Sequence, residues 1–197
     1  MISINMKMQE SKIGNQIWTT NNLNLSHFSN GDEILEAKSL EEWQEADEMK
    51  IPAWCHYENL LDFGIKYGKL YNWHAVNDNR KLAPKNYRIP TDKDFEILSN
   101  YLGGSEISGK FLKNHKEFNE EIDSAVNSIF FNALPGGARL WSFEFHGVNE
   151  YAFFWSSSEF NSYYSWHRVL IKNHSCFGRV NNGGKGFGLS VRCIKSE

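Results

Sequence analysis

At 197 residues, with 41% hydrophobic and 23% charged residues, the chain has the make-up of one ordinary globular domain and is long enough to fold without disulfide or metal staples. Its formal net charge of −3 gives no sign of a nucleic-acid partner, so none is expected, and no window approaches the length and apolarity of a membrane span. A single domain over residues 1–197, without membrane insertion, is therefore expected. The aromatic share is high, at seven Trp, eight Tyr and fourteen Phe, and rings in excess of what a core holds tend to line binding surfaces. Charge is also uneven. Residues 1–60 carry ten acids against four bases, whereas 151–197 carry two acids against six bases, so a weakly basic C-terminal face is expected on an acidic body. Residues 1–10 are polar and mixed, without the apolar stretch of a signal peptide, which predicts no export by a cleaved signal in the chain as given.

Along the chain, the run SKIGNQIWTTNNLNL (11–25) sets Ile13, Ile17 and Trp18 among polar residues around Gly14 and Asn15, the pattern of a short hairpin. A turn signal follows at Asn30 and Gly31. Residues 39–50 predict a helix. Ser39 caps it, Glu42 completes a capping box, and Leu40, Trp43 and Ala46 form one apolar stripe, which Pro52 prevents from extending. Over 52–78 aromatic residues recur without a clean period, and the segment reads as a loop or short strand followed by helical turns at 70–76. A second helix is predicted at 91–102, capped by Thr91, with Asp92 and Asp94 at its positive end. Phe95, Leu98 and Leu102 share one face, and Gly103-Gly104 ends it. After a polar stretch (105–128), short β-type runs at 128–140, 151–158, 165–171, 175–180 and 186–194 are separated by Gly, Asn and Ser. The fold class is thus α+β. Two helices, at 39–49 and 91–102, are expected to pack on a small antiparallel sheet formed largely after residue 128, with long loops and neighbouring termini.

Several blocks in order, namely IGNQIWTTNNLN (13–24), GDEILEAKSLEEWQEA (31–46), PAWCHYEN (52–59), YGKLYNWHAVND (67–78), LAPKNYRIPTDKDFEIL (82–98), ALPGGARL (133–140), WSSSE (155–159) and GLSVRC (188–193), resemble the Fibrobacter succinogenes major paralogous domain family. The resemblance covers about nine tenths of the chain. It implies a bacterial, often surface-associated protein with a C-type-lectin-like fold near the formylglycine-generating-enzyme branch. Residues 155–193 are also similar to the variable region of proteins diversified by retroelements, where a Trp-Ser-Ser start and a Val-Arg end frame positions rich in Asn, Tyr and Ser. Tyr supplies rigid amphipathic contact area, and Asn and Ser supply adaptable hydrogen bonds.

The chemistry-bearing residues point away from catalysis. The oxidases of the resembled branch act through two closely spaced cysteines that hold copper. Here Cys176 and Cys193 fall in separate predicted strands, so no oxidase activity and no bound copper is expected. Three cysteines permit at most one intrachain disulfide, and a Cys55–Cys193 pair, both in matching blocks, stays open. The seven histidines show no zinc spacing, and Ser156, Ser157 and Ser158 lack a nucleophile setting. The GGKGFG run (183–188) lacks the strand–loop–helix context of a phosphate loop and reads as a glycine turn. Calcium-mediated sugar binding would need clustered carboxylates, and residues 155–193 offer Glu159 and no Asp. Trp155 and Trp166 sit in strand-like runs and read as core, whereas residues 160–164 read as an exposed loop.

The expectation is therefore a non-enzymatic, cofactor-free binding module whose C-terminal loops meet a protein or glycan ligand on another surface. The expected contact residues are Phe160, Asn161, Ser162, Tyr163, Tyr164, His167, Arg168, Asn173, His174, Phe177, Arg179, Asn181 and Asn182. The alternative is an assembly domain of a cell envelope, phage or injection particle that uses the same face for a fixed protein partner.

Overall fold

The computed structural model describes residues 8–121 and 130–196. Residues 1–7, which hold most of the polar N-terminal stretch, and 128–129, the start of the predicted 128–140 run, lie outside the described residues.

The chain opens with β1 (Glu10–Ile13) and β2 (Gln16–Thr19), the expected antiparallel hairpin. Gly14 turns it at φ +60°, and a side chain there would also meet the Tyr101 ring. Next come β3 (Leu35–Glu36), α1 (Leu40–Glu48), β4 (Ala53–Cys55), a 3₁₀ turn at Tyr57–Asn59, α2 (Leu61–Tyr67), β5 (Leu70–Tyr71) and α3 (Trp73–Val76). β6 (Tyr87–Arg88) leads into α4 (Asp92–Tyr101), α5 (Ser105–Leu112) and α6 (His115–Phe118). The rest comprises β7 (Gly136–Arg139), a 3₁₀ turn at Trp141–Phe143, β8 (Phe145–Val148), β9 (Tyr151–Glu159), β10 (Tyr164–Ile171), β11 (Phe177–Gly184) and β12 (Ile194–Lys195).

The predicted Ser39–Glu42 capping box forms, and the predicted Thr91 cap is closed into a second box by Asp94. Ser39 Oγ accepts from the Glu42 amide at 3.1 Å while the Glu42 carboxylate accepts from the Ser39 amide at 3.3 Å. Thr91 Oγ1 accepts from the Asp94 amide at 3.2 Å, and Asp94 accepts from the Thr91 amide at 2.7 Å. The apolar stripe of α4, Phe95 and Leu98, is fully buried against β9 and β10 together with Phe154, Leu170 and Phe177.

The strands form three sheets among the described residues, ordered β1-β2-β12-β6, β11-β10-β9-β7-β8 and β3-β4-β5. The protein is α+β, but the simple picture of two helices on one antiparallel sheet is corrected. Six α-helices stand among the described residues, strands precede as well as follow them, and the β3–β4 and β7–β9 pairings are parallel. α1 lies at the β7–β8 edge of the large sheet, in a cluster separate from that of α4. Its Trp43 and Ala46 pack with Tyr57 and Leu70, beside Phe143 and Phe145.

The helices α5 and α6 occupy the stretch read as merely polar. α5 has no side-chain cap, and its Gly109 sits where a Cβ would come within 2.3 Å of the Cys176 carbonyl. That glycine weakens intrinsic helix propensity but allows the helix to close on the chain before β11. Tertiary packing, not local pattern, places α5.

The run read as a strand at 186–194 is mostly a strap threaded between sheets. Gly188 exchanges backbone bonds with Arg139 and Leu189 with Tyr71, while the Ser190, Val191 and Cys193 carbonyls accept from Trp155, Leu23 and Thr19. Only Ile194–Lys195 extends as β12, paired with both β2 and β6, so the two ends of the described chain lie in one sheet, as expected. Arg192 fastens the strap. Fully buried, it donates to Asn22 Oδ1 and to the Thr19, Phe131 and Asn132 carbonyls at 2.6–2.8 Å, with no carboxylate among these partners. Burial lowers its pKa to about 9.

Cys55 and Cys193 are buried free thiols, each pushed up to about 12 by burial, and Cys176 is also free. The disulfide left open by their family blocks is not formed.

Candidate functional site

The exposed rings of the C-terminal third concentrate at the β9–β10 turn, residues 160–164. Backbone bonds from the Phe160 and Asn161 amides to the Tyr164 carbonyl close the turn at 3.0 Å. Asn161 Oδ1 then accepts from both the Tyr163 and Tyr164 amides at 2.9 Å, an Asx-type turn that fixes the loop from within. Phe160, Tyr163 and Tyr164 are left 46%, 75% and 39% exposed, and the two tyrosine rings lie 6.5 Å apart. A loop wired in this way presents its rings with little left to order on binding.

A second feature adjoins it. Pairing of β10 with both neighbours slips between Ser165 and His167, and half-buried Trp166 sits at the slip. Phe160 meets the Trp166 ring edge-on at 5.3 Å, and the Arg179 guanidinium lies 3.7 Å from the Trp166 centroid. Arg179 and Arg168 are register partners across β10–β11, so two like charges stand side by side. Asp92, in the first turn of α4, holds both. Its Oδ1 accepts from Arg168 at 2.8 Å and its Oδ2 from Arg179 Nε at 2.8 Å. The bond to Asp92 raises the Arg179 pKa, while burial lowers that of Arg168. A cleft of about 310 Å³ opens here between both arginines and Glu96, Ser99, Asn100 and Ser105.

Another cleft, of about 250 Å³, lies where Ser162 and Tyr163 face Phe143, Asp47, His74 and the 184–187 turn. Lys185 ties it to the loop, donating to the Ser162 carbonyl at 2.9 Å and pairing with Glu159. His74 and Asp47 face each other at 3.1 Å.

The structure gathers Phe160, Asn161, Ser162, Tyr163 and Tyr164 at one end of the sheet, with Arg179 and exposed Asn182 alongside and Asn181 half-buried. Three expected contact residues are not on the surface. His167 is 5% exposed, between the rings of Trp155 and Phe153, with Nδ1 lacking a partner, and its pKa is lowered by burial to about 4. Arg168 is 2% exposed and Phe177 fully buried under α4, because strand alternation and the slip turn them to the core side. Asn173 and His174 are exposed but belong to the opposite turn, separated from residues 160–164 by the length of β10, roughly 25 Å at ~3.3 Å per residue. That turn is tied down from α6 and beyond. Glu120 accepts from the Asn173 amide at 2.6 Å and from Lys113 at 2.6 Å.

Sequence reasoning assigned Trp166 to the core and did not single out Lys185 or Asp92 as organisers of this surface. Trp166 alternates with Ser165 and His167 and so faces the other side of β10, but the sequence does not say which side is covered, and the Asp92 contacts cross 76 and 87 residues and leave no local trace. Among the described residues no three His, Cys, Asp or Glu side chains converge in a metal-binding group. No helix among them is long and apolar enough to cross a membrane.

Residues 12–195 match the family described as the Fibrobacter succinogenes major domain. Neither a curated protein nor a solved structure matches the chain.

Proposed function

Since the chain belongs to the Fibrobacter succinogenes major domain family, we propose that it is a non-enzymatic binding module that meets a protein or glycan ligand through residues 160–164, Trp166, Arg179 and Asn182. The observation that carries this reading is the pre-wired turn with its two exposed tyrosines beside a guanidinium locked onto an indole. Binding energy at interfaces concentrates in such aromatic and arginine anchors. The reading needs no metal or cofactor.

In the same proposal the body is a branch of the C-type-lectin-like fold, supported by a mixed α+β frame whose first and last strands share a sheet. The frame of the retroelement-type variable region also supports it. Its ends, Trp155 and Arg192, are fully buried, while exposed side chains fall between them. A frame that must not vary around positions that are free to vary is what diversification requires. A neighbouring reverse transcriptase with an adenine-mutated template repeat is the genomic observation that tests this part. The final location under this proposal is a cell surface, a particle or the medium.

The binding test is a glycan and surface-protein array probed with the wild-type chain and with Tyr163→Ala/Tyr164→Ala. The double variant is expected to lose the strongest signals, at ~2 kcal/mol or more per ring. Signals that survive it unchanged place the binding surface elsewhere. Selection of one fixed protein, with no template repeat in the genome, favours the assembly-domain alternative.

A further inference from the structure

A cleft of about 620 Å³ shares no residue with the surface proposed above. It is lined by Ser26, His27, Glu33, Ile34, Leu35, Glu36, Trp54 and Lys69. Lys69 stands out among them. It is only 8% exposed, and its ammonium lies 4.0 Å from the centroid of the Trp54 ring. Within the described residues that ammonium makes one hydrogen bond, to Asn24 Oδ1 at 3.1 Å, and no ion pair. An ammonium carries three donors, so two remain for whatever occupies the cleft. Burial lowers the Lys69 pKa, with Glu36 opposing the shift from a distance.

Among the described residues neither rim carboxylate forms an ion pair with Lys69. Glu36 pairs with Lys38 at 3.3 Å, and the Glu33 side chain is 88% exposed to solvent. Lys69 is thus the one buried charge of the cleft without a counter-charge in contact. A buried cation in that state is costly unless paired, and the pairing gains strength from the low-dielectric surroundings. Trp54, Ile34 and Leu35 supply apolar wall beside it. We infer that this cleft is a second binding site, for a small ligand that carries one carboxylate on a compact, otherwise uncharged body. The carboxylate accepts from Lys69, and the body rests on the apolar wall. The ligand is either an acidic saccharide or a simple carboxylic acid, and the two are separated by experiment.

The test follows the indole N–H resonance of Trp54 while D-glucuronate, D-glucose or propionate is added to the intact chain. The ammonium over the ring makes that resonance a reporter of Lys69. Glucuronate is expected to shift it saturably and glucose not to. A matching shift with propionate identifies a general carboxylate site, whereas its absence assigns the saccharide. Lys69→Met is expected to weaken the response about tenfold or more, the loss of one charge-assisted bond. Glu36→Gln, which keeps the ammonium and removes the nearest negative charge, is expected to tighten it, and this holds as a reading if Lys69→Met does not fold. Equal shifts with glucose and glucuronate, no shift with either carboxylate, or an unchanged response in Lys69→Met overturns the inference.

Discussion

Arg192 and Arg179 are the same side chain thirteen residues apart, and they do opposite work. Arg192 has no exposure and answers four acceptors, Asn22 and three carbonyls, from the stretch after β2 starts and the segment before β7. Arg179 is half in water, bound to Asp92 through Nε and Nη2, with its guanidinium 3.7 Å from the Trp166 centroid. The lesson is that burial and the kind of acceptor, not residue type, separate an arginine that holds the fold from one that presents a surface. Neutral acceptors around a buried guanidinium lose that partner outright when the side chain is removed. A carboxylate beside an exposed one fixes its direction and leaves a face for a ligand.

Breaking the Arg192 side of the comparison should have the largest effect. Arg192→Ala leaves several buried acceptors unsatisfied at ~1–3 kcal/mol each, which exceeds the margin of an ordinary domain. The variant is expected to lack a cooperative thermal transition, and a melt within a few degrees of wild type would remove Arg192 from its structural role. Trp155→Ala, at a fully buried ring that donates to the Tyr71 carbonyl at 2.8 Å, is expected to cost ~3–5 kcal/mol by urea unfolding.

His167 marks the boundary between core and surface, and pH reveals it. In the unfolded chain it takes up a proton near its ordinary 6.5, and in the fold only near about 4. Between these values the unfolded state binds more protons, so stability falls as pH drops from 6.5 toward 4, by about 3 kcal/mol in total. His167→Phe should flatten that slope in urea melts at neutral and mildly acidic pH, and an unaltered slope would show that another group titrates. The smallest stability effect belongs to the surface. Tyr163→Ala/Tyr164→Ala is expected to move the unfolding free energy by only about 1 kcal/mol, because Tyr163 stays 75% exposed and Tyr164 is covered only in part.

The same distinction explains what could be read in advance. α1 and α4 were visible because Ser39–Glu42 and Thr91–Asp94 are local signals, and the 11–19 hairpin because its turn and alternation are contiguous. α2 and α5 were not. α2 leaves Leu61 and Ile65 exposed and has no side-chain cap, and α5 depends on Gly109 meeting a carbonyl 67 residues away. The exposed loop at 160–164 was read correctly for similar reasons, since Asn161 acts within its own turn. His167, Arg168 and Phe177 were misread because both faces of β10 are covered, one by α4 and the other around Trp155 and Phe153, and alternation alone does not show a second cover.

The strap at 188–193 carries a consequence in time as well as in space. It pairs with segments near residues 19, 23, 71, 139 and 155, and β12 closes the sheet that β1 and β2 begin. Almost every bond it makes spans a long stretch of chain, and such non-local closure slows folding. On the ribosome the β1–β2 hairpin emerges first and then waits for its last partner, with synthesis adding about 5–20 residues per second. The strap is therefore expected to close among the last segments of the fold, and the neighbourhoods of Trp18 and Trp155 that it borders stay open to misassembly until it does.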